Sequence, residues 1–209
     1  MTSDRVHGQT DVYPGFCRDR QMPPATDRDD GSAAIAEESA RHSPHALRIK
    51  VDNSIIAFQD ELQGLIVHNL AEQDGDFIVQ RKDRIIAYQL AVVVDDDLQR
   101  VNHIVRGFDL LDATPKQIYL QRLLGFATPR YMHVPIIVDE QGYKLSKQTR
   151  ATAVDLTSPH RVIYELLVLL KQEPPVELQY APVFEQLDWA VGHWNPALLT
   201  NVQAVSRKV

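Results

Sequence analysis

The sequence has little of what marks secreted, membrane-spanning or fibrous proteins. It contains one cysteine, Cys17, so no disulfide can form within the chain, and we expect a reducing, cytoplasmic environment. The longest uncharged apolar run covers residues 85–94, about half of the roughly 20 residues that a membrane helix needs. No apolar stretch follows Met1, so we expect no secretory signal. Nine glycines and 12 prolines in 209 residues exclude collagen-like repeats.

Charge is present in both signs but is unevenly distributed. The chain has 22 basic and 28 acidic residues, a net charge of −6. Residues 19–38 hold six acidic and two basic side chains, whereas residues 144–161 hold four basic side chains and one acidic one. Because local fields steer association more than the total does, the negative net charge does not exclude a polyanionic partner. Residues 19–45 are polar and proline-containing, which predicts an acidic linker.

Strand signals begin after this linker. Alternating apolar residues at 47–51 and short apolar runs at 55–58, 62–67 and 77–79, separated by turn residues, predict an antiparallel unit over residues 46–81. The apolar run 85–94 is either a buried strand or a buried helix, because periodicity does not distinguish the two.

The middle of the chain predicts a parallel sheet. A short strand at 103–105 is followed by a helix for which Thr114 is the predicted N-cap and which Gly125 ends. A second strand is predicted at 134–138, so the succession is a βαβ unit. After Pro159 the apolar spacing is helical. We therefore expect an α/β fold followed by a helical region.

One loop stands out for its chemistry. Residues 144–148 read Lys-Leu-Ser-Lys-Gln and follow a glycine turn at the end of the last predicted strand. Ligands of α/β sheets bind at that edge, where two ammonium groups can hold a polyphosphate and neutralise charge that develops during phosphoryl or nucleotidyl transfer. The alternative is a solvated lysine-rich loop without a ligand.

An ordered series of segments carries a family resemblance. The segments are residues 76–79, 87–96, 103–107, 114–118, 124–125, 133–135 and 144–148. Their order and spacing resemble the second half of the Rossmann-type catalytic domain of class I glutamyl-tRNA synthetases, and most of all the short paralogous family, the glutamyl-queuosine tRNA(Asp) synthetases. Gln148, where ordinary glutamyl-tRNA synthetases usually have Arg, and the shortness of the chain after this loop favour the paralogues.

The resemblance also concerns zinc and the start of the chain. Tyr13 and Cys17 resemble the last two ligands of the paralogues' Cys-x-Cys…Tyr-x-x-x-Cys zinc site. The family begins with a strand, a His-containing ATP-binding signature and a helix, which are absent from this sequence. The chain thus resembles a synthetase that starts inside the zinc module and lacks the N-terminal ATP-binding part. With two ligands missing, we expect zinc to be lost or weakly bound.

The resemblance implies roles for particular residues. Tyr88 and Arg106 match the glutamate-contacting Tyr and Arg of the family, and an Arg fork suits a carboxylate. Lys147 and Ser146 match the ATP-contacting loop, with Lys144 in support; the two lysines are the predicted catalytic residues and act electrostatically on the leaving pyrophosphate. Tyr88 could instead be a core aromatic residue.

Other polar residues near these positions have ordinary structural interpretations. His103 and His133 flank short strands near the pocket and are interpreted as core histidines rather than catalytic ones. Asp95 and Asp96 are interpreted as a solvated turn or cap rather than as metal ligands.

The implied reaction is ATP-dependent activation of L-glutamate and its transfer to queuosine at the wobble position of tRNA(Asp). The alternatives are a non-catalytic tRNA-binding remnant or paralogue and a fragment of an ordinary glutamyl-tRNA synthetase. The predicted division is a zinc-module remnant (1–18), an acidic linker (19–45), a β-rich insertion (46–81), the second half of the catalytic domain (82–150) and a C-terminal helical region (151–209). We expect a monomer without membrane contact.

Overall fold

The computed structural model describes residues 12–15, 18–19, 45–139, 141–145 and 154–206. The strands are β1 (Leu47–Ile49), β2 (Ile55–Asp60), β3 (Gly64–Asn69), β4 (Phe77–Gln80), β5 (His103–Gly107), β6 (Arg130–Val134), β7 (Ile136–Val138) and β8 (Ala204–Ser206). The α-helices are α1 (Leu70–Gln73), α2 (Tyr88–Leu98), α3 (Thr114–Leu124), α4 (Pro159–Leu169) and α5 (Val183–His193). Short 3-10 helices cover Phe108–Ala113, Val176–Tyr180 and Pro196–Leu199. None of the helices in the described ranges is long and apolar enough to cross a membrane.

A four-stranded sheet in the order β3-β2-β6-β5 positions the candidate site. β2 pairs with β3 antiparallel and with β6 parallel, and β6 pairs with β5 parallel. Because β2, β6 and β5 run in one direction, their carboxyl ends lie at the same edge of the sheet. The antiparallel unit predicted for residues 46–81 is confirmed in two pairs, β1 with β4 and β2 with β3.

The turn between β2 and β3 shows why β3 starts later than predicted. Asp60 ends β2, and its Oδ1 accepts hydrogen bonds from the backbone N–H groups of Leu62 (3.0 Å) and Gln63 (2.9 Å). This tight turn places Leu62 in the turn, where it is buried, so the strand begins at Gly64.

Helices α2 and α3 pack together and bury their apolar residues with those of the sheet. The core contains Ile56 and Tyr131 from the sheet, Val93 from α2, and Ile118 and Leu120 from α3. Alternate residues of the β2–β3 hairpin face outward, and Ile55, Leu65 and Val67 are exposed. The sheet thus has one covered apolar face and one partly exposed apolar face.

The ambiguous run 85–94 is mainly helical. Helix α2 starts at Tyr88, buries Val93 and packs Leu90 and Val92 against the core. Ile86 remains extended and bridges to Gln80 of β4. Helix spacing therefore accounts for the buried positions, and the three aspartates that follow continue the helix rather than forming a turn.

The βαβ unit is confirmed, with two corrections. β5 and β6 are parallel and connected through α3, and Gly125 ends α3 in the left-handed region (φ 71°). The second strand is Arg130–Val134 rather than 134–138, because Pro135 has no N–H and separates β6 from β7, which pairs with β8 in another sheet. Thr114 is not the N-cap: the 3-10 helix Phe108–Ala113 runs directly into α3, so this helix has no free start at Thr114.

The region after Pro159 is helical, as predicted, up to Leu199, but its last described residues form strand β8 rather than a helix. α4 begins at Pro159, and α4 packs against α5 and against the 3-10 helix Val176–Tyr180. The last described segment returns to the sheet, where the Asn201 N–H donates to the Leu62 carbonyl (2.8 Å) and β8 pairs with β7. The C-terminal segment therefore closes over the turn that carries Asp60.

Candidate functional site

Arg106 lies at the carboxyl end of β5 and is held from two sides. Its Nε donates to Nε2 of His133 (3.0 Å), and its Nη2 donates to Oγ1 of Thr114 (2.6 Å) and to the carbonyl of Leu110 (3.3 Å). The side chain is half-buried. An arginine stays protonated in proteins, so this edge of the sheet carries a fixed positive charge with an oriented planar fork.

His133 is in turn held by Asp60. His133 Nδ1 lies 2.6 Å from Asp60 Oδ2, and both side chains are fully buried. Burial by itself raises the pKa of Asp60, but hydrogen bonds from the His133 ring and from the N–H groups of Gln63, Leu62 and His133 outweigh it, so the pKa lies below its ordinary value. Asp60 is therefore a buried carboxylate stabilised by donors.

Aromatic and acidic side chains complete the surroundings of Arg106. Its Cζ lies 5.5 Å from the centre of the Tyr131 ring. Burial lowers the pKa of Arg106, while Tyr131, Tyr88 and Asp96 act in the opposite direction. Burial raises the pKa of Asp96, with Arg106 opposing it. Tyr88 and Asp96, both on α2, therefore interact with the Arg106 guanidinium. Tyr88 is half exposed (51%) and is not a core residue.

Lys144 lies near the same end of β5. The turn before it is closed by Asp139, whose Oδ1 accepts from the N–H groups of Gln141 (3.0 Å) and Tyr143 (2.8 Å). Lys144 Nζ donates to Asp109 Oδ2 (2.6 Å), and Asp109 packs over Gly107, the residue after Arg106. The structure thus connects the first lysine of the loop to the strand end that carries Arg106.

Only one of the remaining predicted site residues lies within the described ranges. Ser146 and Lys147 lie outside the described residues, as does Cys17. Tyr13 is described, and the Arg48 guanidinium lies over its ring at 4.1 Å. No group of three or more His, Cys, Asp or Glu side chains within the described ranges could hold a metal ion. Tyr13 beside a cation does not by itself supply a zinc site, since structural zinc takes about four ligands.

Sequence reasoning missed the residues that support Arg106. The sequence does not single out Asp60; it predicts Thr114 as a helix cap and His133 as a core histidine near the pocket, both within segments that carry the family resemblance. One signal could have found them: Asp60, Arg106 and His133 stand at or next to the carboxyl ends of three strands, the edge at which α/β sheets bind ligands. Their mutual contacts depend on the placement of β2 beside β6, which has no local sequence signature.

Comparison with known proteins gives a consistent family. Residues 17–167 match the model of the catalytic domain of class I tRNA synthetases (E and Q). The chain is 42% identical over 191 residues to a glutamyl-Q tRNA(Asp) synthetase of Pseudomonas aeruginosa, covering 91% of this chain and 59% of the relative. It is 43% identical over 199 residues to the protein of that name in Methylococcus capsulatus, covering 92% of this chain and 64% of the relative.

Solved structures agree in fold. A glutamate tRNA ligase from Elizabethkingia meningosepticum, crystallised with its amino acid, superimposes with a TM-score of 0.62 at 18% identity, covering 84% of this chain and 38% of the other. The expected class I synthetase fold is confirmed. The chain spans 59% and 64% of the length of the two curated relatives.

Proposed function

Because the chain belongs to the class I tRNA synthetases (E and Q) through their catalytic domain, we propose that it serves ATP-dependent activation of L-glutamate and its transfer to queuosine in tRNA(Asp). The names of its relatives supply the amino acid and the tRNA. The observation that carries the proposal is Arg106, a half-buried guanidinium fixed at the carboxyl edge of the sheet.

Arg106 and Tyr88 form the proposed amino-acid site. The Arg106 Nε and Nη2 donors are already bonded within the protein, so its Nη1 supplies the two N–H groups that can donate to a carboxylate. The hydroxyl of Tyr88, an exposed residue, can fix the amine or a carboxylate oxygen. Asp96 lies near enough to act on the pKa of Arg106, and as a carboxylate it favours an ammonium group over a second anion. The site therefore suits a zwitterionic, acidic amino acid.

Lys144 belongs to the proposed ATP side of the site, with Lys147 and Ser146. The glutamate carboxylate attacks the α-phosphate, an acyl–phosphate bond forms, and pyrophosphate leaves; no enzyme nucleophile is needed. Lys144 is paired with Asp109 in a partly exposed ion pair, which is weak enough to exchange for a phosphate oxygen. Its ammonium charge would then stabilise the leaving pyrophosphate.

The reaction can be tested directly. The 209-residue chain and a version extended upstream are incubated with ATP, labelled L-glutamate and queuosine-containing tRNA(Asp), with tRNA(Glu) in parallel. Label in tRNA(Asp) supports the proposal. Label in tRNA(Glu) alone indicates an ordinary glutamyl-tRNA synthetase, and RNA binding without label from either version indicates a non-catalytic remnant.

Arg106→Ala tests the amino-acid site. Loss of a charge-assisted contact costs about 1.5–3 kcal/mol, so we expect the dissociation constant for L-glutamate to rise by about tenfold to a hundredfold. Arg106→Lys keeps the charge but not the planar guanidinium and should recover only part of the affinity. Arg122→Ala removes an exposed arginine from the end of α3 and serves as the control. Isothermal titration calorimetry gives the constants, and unchanged affinity in Arg106→Ala would refute the assignment.

A further inference from the structure

The buried pair Asp60–His133 has a function beyond packing. We propose that Asp60 and His133 are positioning residues: Asp60 fixes the tautomer of His133, and the unprotonated Nε2 then holds the Arg106 guanidinium so that its Nη1 faces the amino acid. The identity of that amino acid rests on the proposed function, but the positioning itself is a property of the folded chain.

The direction of the hydrogen bond between Arg106 and His133 determines which ring nitrogen of His133 carries the proton. Arg106 Nε always bears a proton, so its partner at 3.0 Å, His133 Nε2, has to be an acceptor. A neutral imidazole has one acceptor nitrogen, so the ring proton is on Nδ1, which faces Asp60 Oδ2 at 2.6 Å. A protonated His133 would present a second donor to Arg106, and the contact would be lost.

Asp60 has no freedom to accept this proton in another orientation. Its Oδ1 accepts from the N–H groups of Leu62 (3.0 Å), Gln63 (2.9 Å) and His133 (3.2 Å), so that oxygen is anchored to the turn and to β6. Only Oδ2 faces the ring. A carboxylate fixed in this way imposes one tautomer on the imidazole.

Thr114 supplies the second support. Its Oγ1 accepts from Arg106 Nη2 (2.6 Å) and can donate either to the Leu110 carbonyl (3.3 Å) or to His133 Nε2 (3.2 Å). The guanidinium is thus fixed at both Nε and Nη2, by side chains from β6 and α3. Three hydrogen bonds at Nε and Nη2 fix the orientation of the guanidinium and leave the two N–H groups of Nη1 to meet a carboxylate in a defined direction.

Asp60→Asn is the decisive variant. The anchored position still needs an oxygen for three backbone donors, so the amide NH2 takes the place of Oδ2 and donates to His133 Nδ1. The ring proton then moves to Nε2, where it faces the Arg106 Nε proton, and the hydrogen bond to Arg106 is lost without a cavity. Asp76→Asn is the matched control, because Asp76 is also a buried carboxylate that accepts a backbone N–H, from Val51 (2.8 Å), but it lies outside this network.

Two measurements on the ¹⁵N-labelled 209-residue chain judge the proposal. An N–H···N hydrogen bond transmits a scalar coupling between its two nitrogens, so the Arg106 Nε signal should show a coupling to a histidine Nε2 in the wild type and in Asp76→Asn. The coupling should be absent in Asp60→Asn. Calorimetry should show a dissociation constant for L-glutamate raised about tenfold or more in Asp60→Asn and little changed in Asp76→Asn.

The results distinguish the proposed ligand, L-glutamate, from the proposed positioning of Arg106. A wild-type chain with the coupling but without glutamate affinity would refute the proposed ligand and leave the positioning supported. A wild-type chain that binds glutamate without the coupling would overturn the positioning. The positioning would also be overturned if Asp60→Asn kept the coupling or kept the glutamate affinity of the wild type. The wild-type spectrum decides even if a variant does not fold.

Discussion

Asp74 allows a quantitative test of how the hairpin is attached to α3. Its Oδ2 lies 2.5 Å from His68 Nε2, and its Oδ1 accepts from the ammonium group of Lys116. The three side chains are only 8%, 13% and 14% exposed. Asp74 follows α1, His68 is on β3, and Lys116 is in the first turn of α3, the helix whose Thr114 supports Arg106.

The expected cost of Asp74→Asn follows from this burial. Removing one charge of a buried ion pair costs about 3–5 kcal/mol, since it leaves the partner charge uncompensated. Lys116 retains some solvent contact, so we expect about 3 kcal/mol at neutral pH. Burial raises the pKa of Asp74, but the hydrogen bonds from His68 and Lys116 and their charges outweigh it and lower the pKa below its ordinary value.

The lowered pKa gives the pH dependence its sign. The carboxylate's contribution to stability is fully present above the unfolded value of about 3.9 and is lost as the pH falls through the lower folded value. The difference between wild type and Asp74→Asn should therefore be largest at neutral pH and shrink below about pH 4. Urea denaturation at several pH values gives both free energies of unfolding.

The control is the same substitution at an exposed pair. Asp83 contacts Arg81 at 2.7 Å with both side chains largely exposed, so Asp83→Asn should cost no more than about 0.5 kcal/mol. If Asp74→Asn costs as little as Asp83→Asn, or if its cost does not fall in acid, the cluster does not attach the hairpin to α3 as argued.

Two further predictions concern the strand end and the core. Gly107→Ala fits the backbone (φ −68°), but its Cβ would lie 2.5 Å from Asp109 Oδ1, so Asp109 moves and its pair with Lys144 breaks. Because that pair is partly exposed, we expect a loss below about 1 kcal/mol in urea denaturation, and no loss when Asp109→Ala is already present. Ile118→Ala, at a position 1% exposed, should cost about 3 kcal/mol, while Leu123→Ala, 56% exposed on the same helix, should cost little; equal losses would contradict the assigned core.

The parts of the fold that were predicted correctly have local signals. Gly125 ends α3 because the chain adopts a left-handed conformation there, and Pro159 starts α4 because its fixed φ suits a first turn. Arg106 could be proposed from its place between a short strand and a glycine together with the family resemblance. Each of these depends on a few neighbouring residues.

What the sequence did not reveal depends on distant pairing. Asp60 and His133 are far apart in the chain and meet because β2 lies beside β6. Thr114 has the residue type and the following proline of an N-cap, but the preceding 3-10 helix removes the free helix start, and its hydroxyl turns to Arg106 instead. Pro135 marks the end of one strand, but nothing local shows that the next strand pairs with the end of the described chain.

The pairing of β7 with β8 has a consequence for synthesis on the ribosome. β7 leads into the turn that carries Lys144, but its partner Ala204–Ser206 is translated long afterwards. The four-stranded sheet can assemble from earlier residues. Strand β7, which precedes this turn, gains its partner β8 only after α4 and α5 have emerged. A nascent chain should therefore form the strand end with Arg106 first and the turn with Lys144 last. Premature release would yield a folded sheet in which the Lys144 turn is not held in place.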